Sequence, residues 1–155
     1  MLKDLKEWFG SISGKKLNYV YGLIYIYDSE DFSHPQELQV IFEMGLVKKI
    51  SCSSDGSTLL LQDSPMVECD LGEYGKQVIK DISDTSVFRN VIGEELQGLK
   101  VISSDVEQSI IGLSFHFSNS KFINILTIGD EISFYGNIPI NIMEEEGINF
   151  LSIDE

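Results

Sequence analysis

Two histidines, two cysteines and 25 carboxylates are the groups in this chain that could carry chemistry, and their spacing assembles none of the familiar reactive sets. His34 precedes Pro35 in a polar stretch, and His116 sits inside Leu113-Ser114-Phe115-His116-Phe117, where alternation turns it away from the phenylalanines. A metal site wants close-spaced histidines or an acid fixed beside them, and neither is present, so both read as surface histidines and no metal is expected. Cys52 and Cys69 read as ordinary reduced residues, with no disulfide framework and no four-ligand zinc pattern. There is no Gly-x-Ser-x-Gly elbow, no Walker loop and no Gly-x-Gly-x-x-Gly turn. Asp55 and Asp130 are the one acidic pair that an internal repeat singles out, and as turn residues they need no catalytic role. No Asp-x-Asp-x-Asp-Gly calcium loop accompanies them. The expectation is a protein without catalytic residues or cofactor, hence not an enzyme.

Charge says more than motif. Against the 25 acids stand 11 basic residues, a formal net of −14, with Arg89 the single arginine. Such a surface repels polyanions and lacks the guanidinium forks that grip phosphate, which excludes direct nucleic-acid binding. A basic protein is the charged partner that fits. The excess is steepest at the end of the chain, where Glu144, Glu145, Glu146, Asp154 and Glu155 follow position 143 with no base among them. The N-terminus carries acids and lacks the apolar core of a signal peptide, and the apolar runs are too short to span a bilayer. A cytoplasmic location is expected.

The elements that must position these groups read as one unit written twice within a single domain covering 1–155. Phe42 to Ile50, followed by Asp55, lies over Phe117 to Ile125, followed by Asp130, at one fixed offset. Leu38 and Val40 fall on Leu113 and Phe115, Gly72 falls on Gly147, and Pro65 needs one residue of slippage to meet Pro139. The fold class expected is α+β, predominantly antiparallel, with two meander repeats of about eight strands. Repeat one spans about 14–72, a helical linker about 73–93, and repeat two about 96–147. Leu2, Leu5, Trp8 and Phe9 predict a short amphipathic N-terminal helix. Tyr74, Val78, Ile79 and Ile82 fit a helical face between the repeats, and a second short helix is expected from Asp84 to Ile92. After Pro139 a turn of helix and a terminal strand are expected.

Within the first strand, Gly22 marks a bulge or a bend, and Tyr19, Tyr21, Tyr25 and Tyr27 share one face if the strand is unbulged. That row reads either as a contact surface or as a half-buried sheet face using amphipathic rings. Ser29 to Gln36 is a polar loop that repeat two shortens, and Asp55-Gly56 is the strongest hairpin signal in the chain. Neither repeat can hide its apolar face alone, so the two must pack together or continue one sheet.

Gly14-Lys15-Lys16-Leu17, Leu38-Gln39-Val40-Ile41-Phe42 and Gly129-Asp130-Glu131-Ile132 resemble stretches of small acidic bacterial immunity proteins, which accompany secreted or contact-delivered toxins. The resemblance implies a non-catalytic antitoxin that binds the catalytic domain of a cognate, basic, nuclease-type toxin and occludes it. Its partner-binding candidates are Glu144, Glu145, Glu146, Asp130 and Glu131, with Tyr25 and Tyr27 as aromatic anchors. A monomer or weak homodimer is expected. The competing reading is a small-ligand or carbohydrate-binding β-domain, in which aromatic residues line a pocket between the halves.

Overall fold

Each half of the chain builds a four-stranded antiparallel meander and then lays one more strand along the free side of its first. The computed structural model describes residues 2–153. After helix α1 (Leu2–Ile12), the first half contains β1 (Leu17–Ile26), β2 (Glu37–Phe42), β3 (Leu46–Cys52), β4 (Leu59–Gln62), β5 (Cys69–Asp70) and β6 (Lys76–Asp81). The second contains β7 (Leu96–Ser104), β8 (Ser109–Phe117), β9 (Phe122–Ile128), β10 (Glu131–Tyr135), helix α2 (Ile140–Glu146) and β11 (Ile148–Ser152). Strand orders are β4-β3-β2-β1-β6-β5 in one sheet and β10-β9-β8-β7-β11 in the other, so the halves share a topology and differ by the two-residue β5.

Register confirms the equivalence. Leu38 faces Ile50 in the first sheet as Leu113 faces Ile125 in the second, and all four are buried. Even-numbered residues of β2 and β3, odd-numbered residues of β9 and those of β8 from Leu113 onward therefore point inward, while an irregularity at 110–112 turns Ile111 to the outer face. Val20, Ile24, Leu38, Val40, Phe42 and Ile50 meet Leu99, Val101, Leu113, Phe115, Ile123 and Ile125 in one core between the sheets. Helix α1 places Leu5, Trp8 and Ile12 on one stripe, and Trp8 sets its indole edge-on to Phe42 of one sheet and Phe115 of the other.

The seam between the halves is two-fold in character. Gly14 N–H donates to the Leu96 carbonyl at 2.8 Å, and Gly93 N–H donates to the Leu17 carbonyl at 2.7 Å. Leu96 N–H reaches Lys15 at 2.9 Å, and Leu17 N–H reaches Glu94 at 3.1 Å. Gly14-Lys15-Lys16-Leu17 thus pairs antiparallel with Gly93-Glu94-Glu95-Leu96, centred on a bridge between Lys16 and Glu95. Both glycines have positive φ, +79° and +84°.

Several expectations change. Residues 76–81 form β6 rather than a helix, and the expected second linker helix is a single 3-10 turn at Phe88–Asn90. Among the described residues the strands number eleven. Gly22 carries neither bulge nor break, since the irregularity of β1 lies between Leu17 and Tyr19. The β1–β2 connection, 27–36, is longer than its β7–β8 counterpart, 105–108, as expected. The two-residue turn with both φ positive is Gly129-Asp130, at +58° and +68°. Asp55-Gly56 instead ends a wider loop in which Gly56 N–H bonds Ser53 and Ser53 N–H bonds Thr58. Asp154 and Glu155, part of the acidic terminus, lie outside the described residues.

Gly112 and Gly10 give contrasting tests of this geometry. A Cβ on Gly112 would lie 2.3 Å from the Ile125 carbonyl oxygen, whereas one on Gly10 in α1 meets nothing within 4 Å. Gly112→Ala should destabilise the fold by about 1–3 kcal/mol, and Gly10→Ala should be neutral or stabilising by up to about 1 kcal/mol. Denaturant unfolding of both variants checks the pair.

Candidate functional site

How each half closes its sheet decides which outer face remains open. The chain must travel from one sheet edge to the other. In the first half that is five strand spacings, about 24 Å, and the seven Cα steps from Gln62 to Cys69 reach about 23–25 Å when fully extended. The segment is therefore an almost straight strap over the outer face, burying Met66 beneath it. Glu68 ties it down by accepting the Ile79 N–H at 2.8 Å, which also caps the edge of β6 beyond the short β5. The second half has more chain for a shorter crossing, and its connection coils into α2, whose Ile142 packs with Ile138 and Ile148 over Ile102, Ile111 and Leu126.

The strap covers one end of the first sheet's outer face, and at the other end apolar side chains reach solvent, as Phe122 does at the equivalent end of the second sheet. Across the first sheet's outer face Tyr19 lies beside Ile41 and Ile41 beside Val47, with Asp81, Tyr21 and Gln39 in the adjoining row. Tyr19 is 49% exposed, and its ring stacks on Tyr21 at 6.1 Å. Acids flank this patch: Asp81 on β6, and Asp4 and Glu7, which line a shallow cleft with Val47 at the foot of α1. Of the tyrosine row, Tyr19, Tyr21 and Tyr25 do share the outer face, and Tyr27 lies just past the strand. Tyr25 donates its hydroxyl to the Tyr74 carbonyl, which fixes its ring against the β5–β6 turn.

The acids expected to bind a partner are dispersed. Glu144, Glu145 and Glu146 lie on α2, over the sheet opposite the tyrosines, and Glu146 is engaged internally by the Ser104 hydroxyl at 3.1 Å. Glu131 stands 3.7 Å from His34, whose Nδ1 is also 3.3 Å from the Ile132 carbonyl, so the β1–β2 loop covers the β10 edge. Asp130 points across to the first half, its Oδ1 2.1 Å from where a Cβ on Gly56 would stand. His116 stacks on Phe122 at 4.5 Å. Sequence reading passed over Ile41 and Val47; the signal was an apolar residue at the outward phase of β2 and β3, where a solvated face would carry polar ones.

Asp130 and Asp55 converge on Cys52. Burial and then these two carboxylates push the Cys52 thiol up. Asp55 accepts from the Ser53 hydroxyl at 2.7 Å, the Ser57 N–H at 3.0 Å and the Ser57 hydroxyl at 2.8 Å, and these donors hold its carboxyl down to about 2. Among the described residues no group of three His, Cys, Asp or Glu side chains is gathered to hold a metal ion, and no helix is long and apolar enough to cross a membrane. The gap lined by Phe42, Phe88, Phe115 and Phe117 measures about 10 Å³, so the space between the sheets is filled there. A cleft of about 300 Å³ with aromatic walls, Phe32, His34, Phe134 and Tyr135, lies where the β1–β2 loop meets β10. Compared with known proteins, the chain matches no described family, no curated sequence and no solved structure.

The Asp55 loop has a defined pH signature. Because the folded carboxyl is depressed, its contribution is complete above the ordinary aspartate range, near pH 4, and fades as pH falls through about 2. Carbon-detected NMR should place the Asp55 midpoint near 2, and Ser53→Ala should move it upward.

Proposed function

We propose that this chain is a non-catalytic immunity protein that neutralises a cognate, basic, nuclease-type bacterial toxin by direct binding and occlusion, in the cytoplasm and as a monomer or weak homodimer. The observation that carries the reading is the patch of exposed Tyr19 and Val47 with half-buried Tyr21 and Ile41 between them, on a chain of net charge −14. Stacked tyrosines beside aliphatic residues supply the rigid contact area on which hot spots are built, and the flanking acids steer a cationic partner. The filled interior supports occlusion by a surface rather than capture in a chamber. Glu144 and Glu145, exposed on the opposite sheet, contribute to the long-range field and hence to association rate. A second reading, a small-ligand or carbohydrate-binding β-domain, draws on the aromatic cleft at Phe32 and Tyr135.

The test starts from the neighbouring gene, where this reading expects a toxin with a cytotoxic C-terminal segment. Co-expression should rescue growth, and Tyr19→Ser with Val47→Asp should weaken binding by tenfold or more with an unchanged melting temperature. Replacing Glu144, Glu145 and Glu146 by glutamine should slow association and flatten its salt dependence while leaving dissociation unchanged. Full binding by the Tyr19/Val47 variant would move the interface elsewhere, and absence of rescue would remove the immunity reading.

A further inference from the structure

The two halves treat the same space beneath the return connection in opposite ways. Leu23, Glu37 and Ser51 of the first sheet occupy the positions of Ile102, Gly112 and Leu126 in the second, as the shared register shows. In the second half, Ile138 and Ile142 close the space over Ile102 and Leu126. In the first it stays open as a cleft of about 660 Å³ between the strap and the sheet, walled by Lys49, Glu37, Ser51, Gln62 and Gln77, with Pro65 and Val67 of the strap above.

Lys49 stands out in that wall. Its side chain is 10% exposed, and among the described residues its ammonium makes no hydrogen bond; its one charged neighbour within 4 Å is Glu37, at 3.4 Å. Its charge is balanced there by the Glu37 carboxylate, so an ion pair of both signs faces the cleft. The equivalent residue of the second half is Asn124, whose amide donates to the Gly136 carbonyl at 3.1 Å. Asn124 Oδ1 is buried without a partner; one half thus places a neutral amide at this position, and the other presents an ion pair to the cleft.

We infer that this cleft is a binding site for a small zwitterion, an α-amino acid with an apolar side chain. Lys49 takes the ligand carboxylate and Glu37 its ammonium. Standard bond lengths hold the nitrogen and the carboxylate oxygens of such a molecule about 3 Å apart, a spacing that the Lys49–Glu37 separation of 3.4 Å matches. The ligand side chain lies along Leu60 and Val67, and the amides of Gln62 and Gln77 complete the polar wall. The inference is independent of the toxin reading, since it concerns the strapped end of the sheet rather than the open patch.

The test is an amide-resolved NMR titration of the full chain with L-leucine. Expected are shifts at Ser51, Gln62 and Val67 that saturate at millimolar concentration or below, with N-acetyl-leucine and leucine methyl ester binding at least tenfold more weakly. Lys49→Met should lose tenfold or more in affinity. Val67→Trp, at an exposed strap position, should block the cleft without disturbing the core. No saturable shift with L-leucine, equal binding of the blocked derivatives, or undiminished binding by Val67→Trp would each overturn the proposal and leave Lys49–Glu37 as a structural ion pair.

Discussion

The antiparallel contact between Gly14-Lys15-Lys16-Leu17 and Gly93-Glu94-Glu95-Leu96 is the join on which the molecule depends. Its four backbone bonds repeat under a local two-fold, and they start β1 and β7 side by side and heading into opposite sheets. Each meander then presents its inward phase to the other. Neither sheet has another way to remove that face from water, so the seam and the core are one structural decision expressed twice. The pattern extends outward: Glu43 N–H bonds the Lys16 carbonyl as Ser118 N–H bonds that of Glu95. The residues on the two sides of the seam carry opposite charge, so the contact favours unlike halves over two copies of the same one.

From that symmetric start the halves diverge in their return connections. The strap has no slack, so it can neither coil nor spread, and it covers one end of its sheet only. The polar cleft follows from this shortage of chain. In the second half the longer connection forms α2 and seals the equivalent surface with isoleucine. The halves of a nearly symmetric scaffold thus present different outer surfaces near their return connections, a difference set by loop length as much as by the identity of the surface residues.

Much of the scaffold was legible in the sequence because strand phase is a strong signal. Leu38, Val40 and Phe42 over Leu113, Phe115 and Phe117 fixed both the repeat and its register. The seam escaped because Gly14 and Gly93 stand at a different offset, shifted by the longer β1–β2 loop. Residues 74–82 misled for a different reason: Val78, Ile79 and Ile82 satisfy a helical stripe, but the free side of β1 demands a partner, and tertiary pairing overrides so short a local pattern. The candidate site was legible only in part. Tyrosine alternation was visible, whereas Lys49 and Glu37 gain their meaning from a strap whose path no local pattern encodes.

Asp130 closes the account from the evolutionary side. Its carboxylate fills the volume that any side chain at position 56 would need, so a turn of the second half polices a loop of the first. Descendants of a duplicated gene drift apart freely wherever their copies do not touch. At this contact they are coupled: a side chain at 56 has to displace the Asp130 carboxylate as well as adopt a φ of +76°, so a change at either site alters what the other can tolerate.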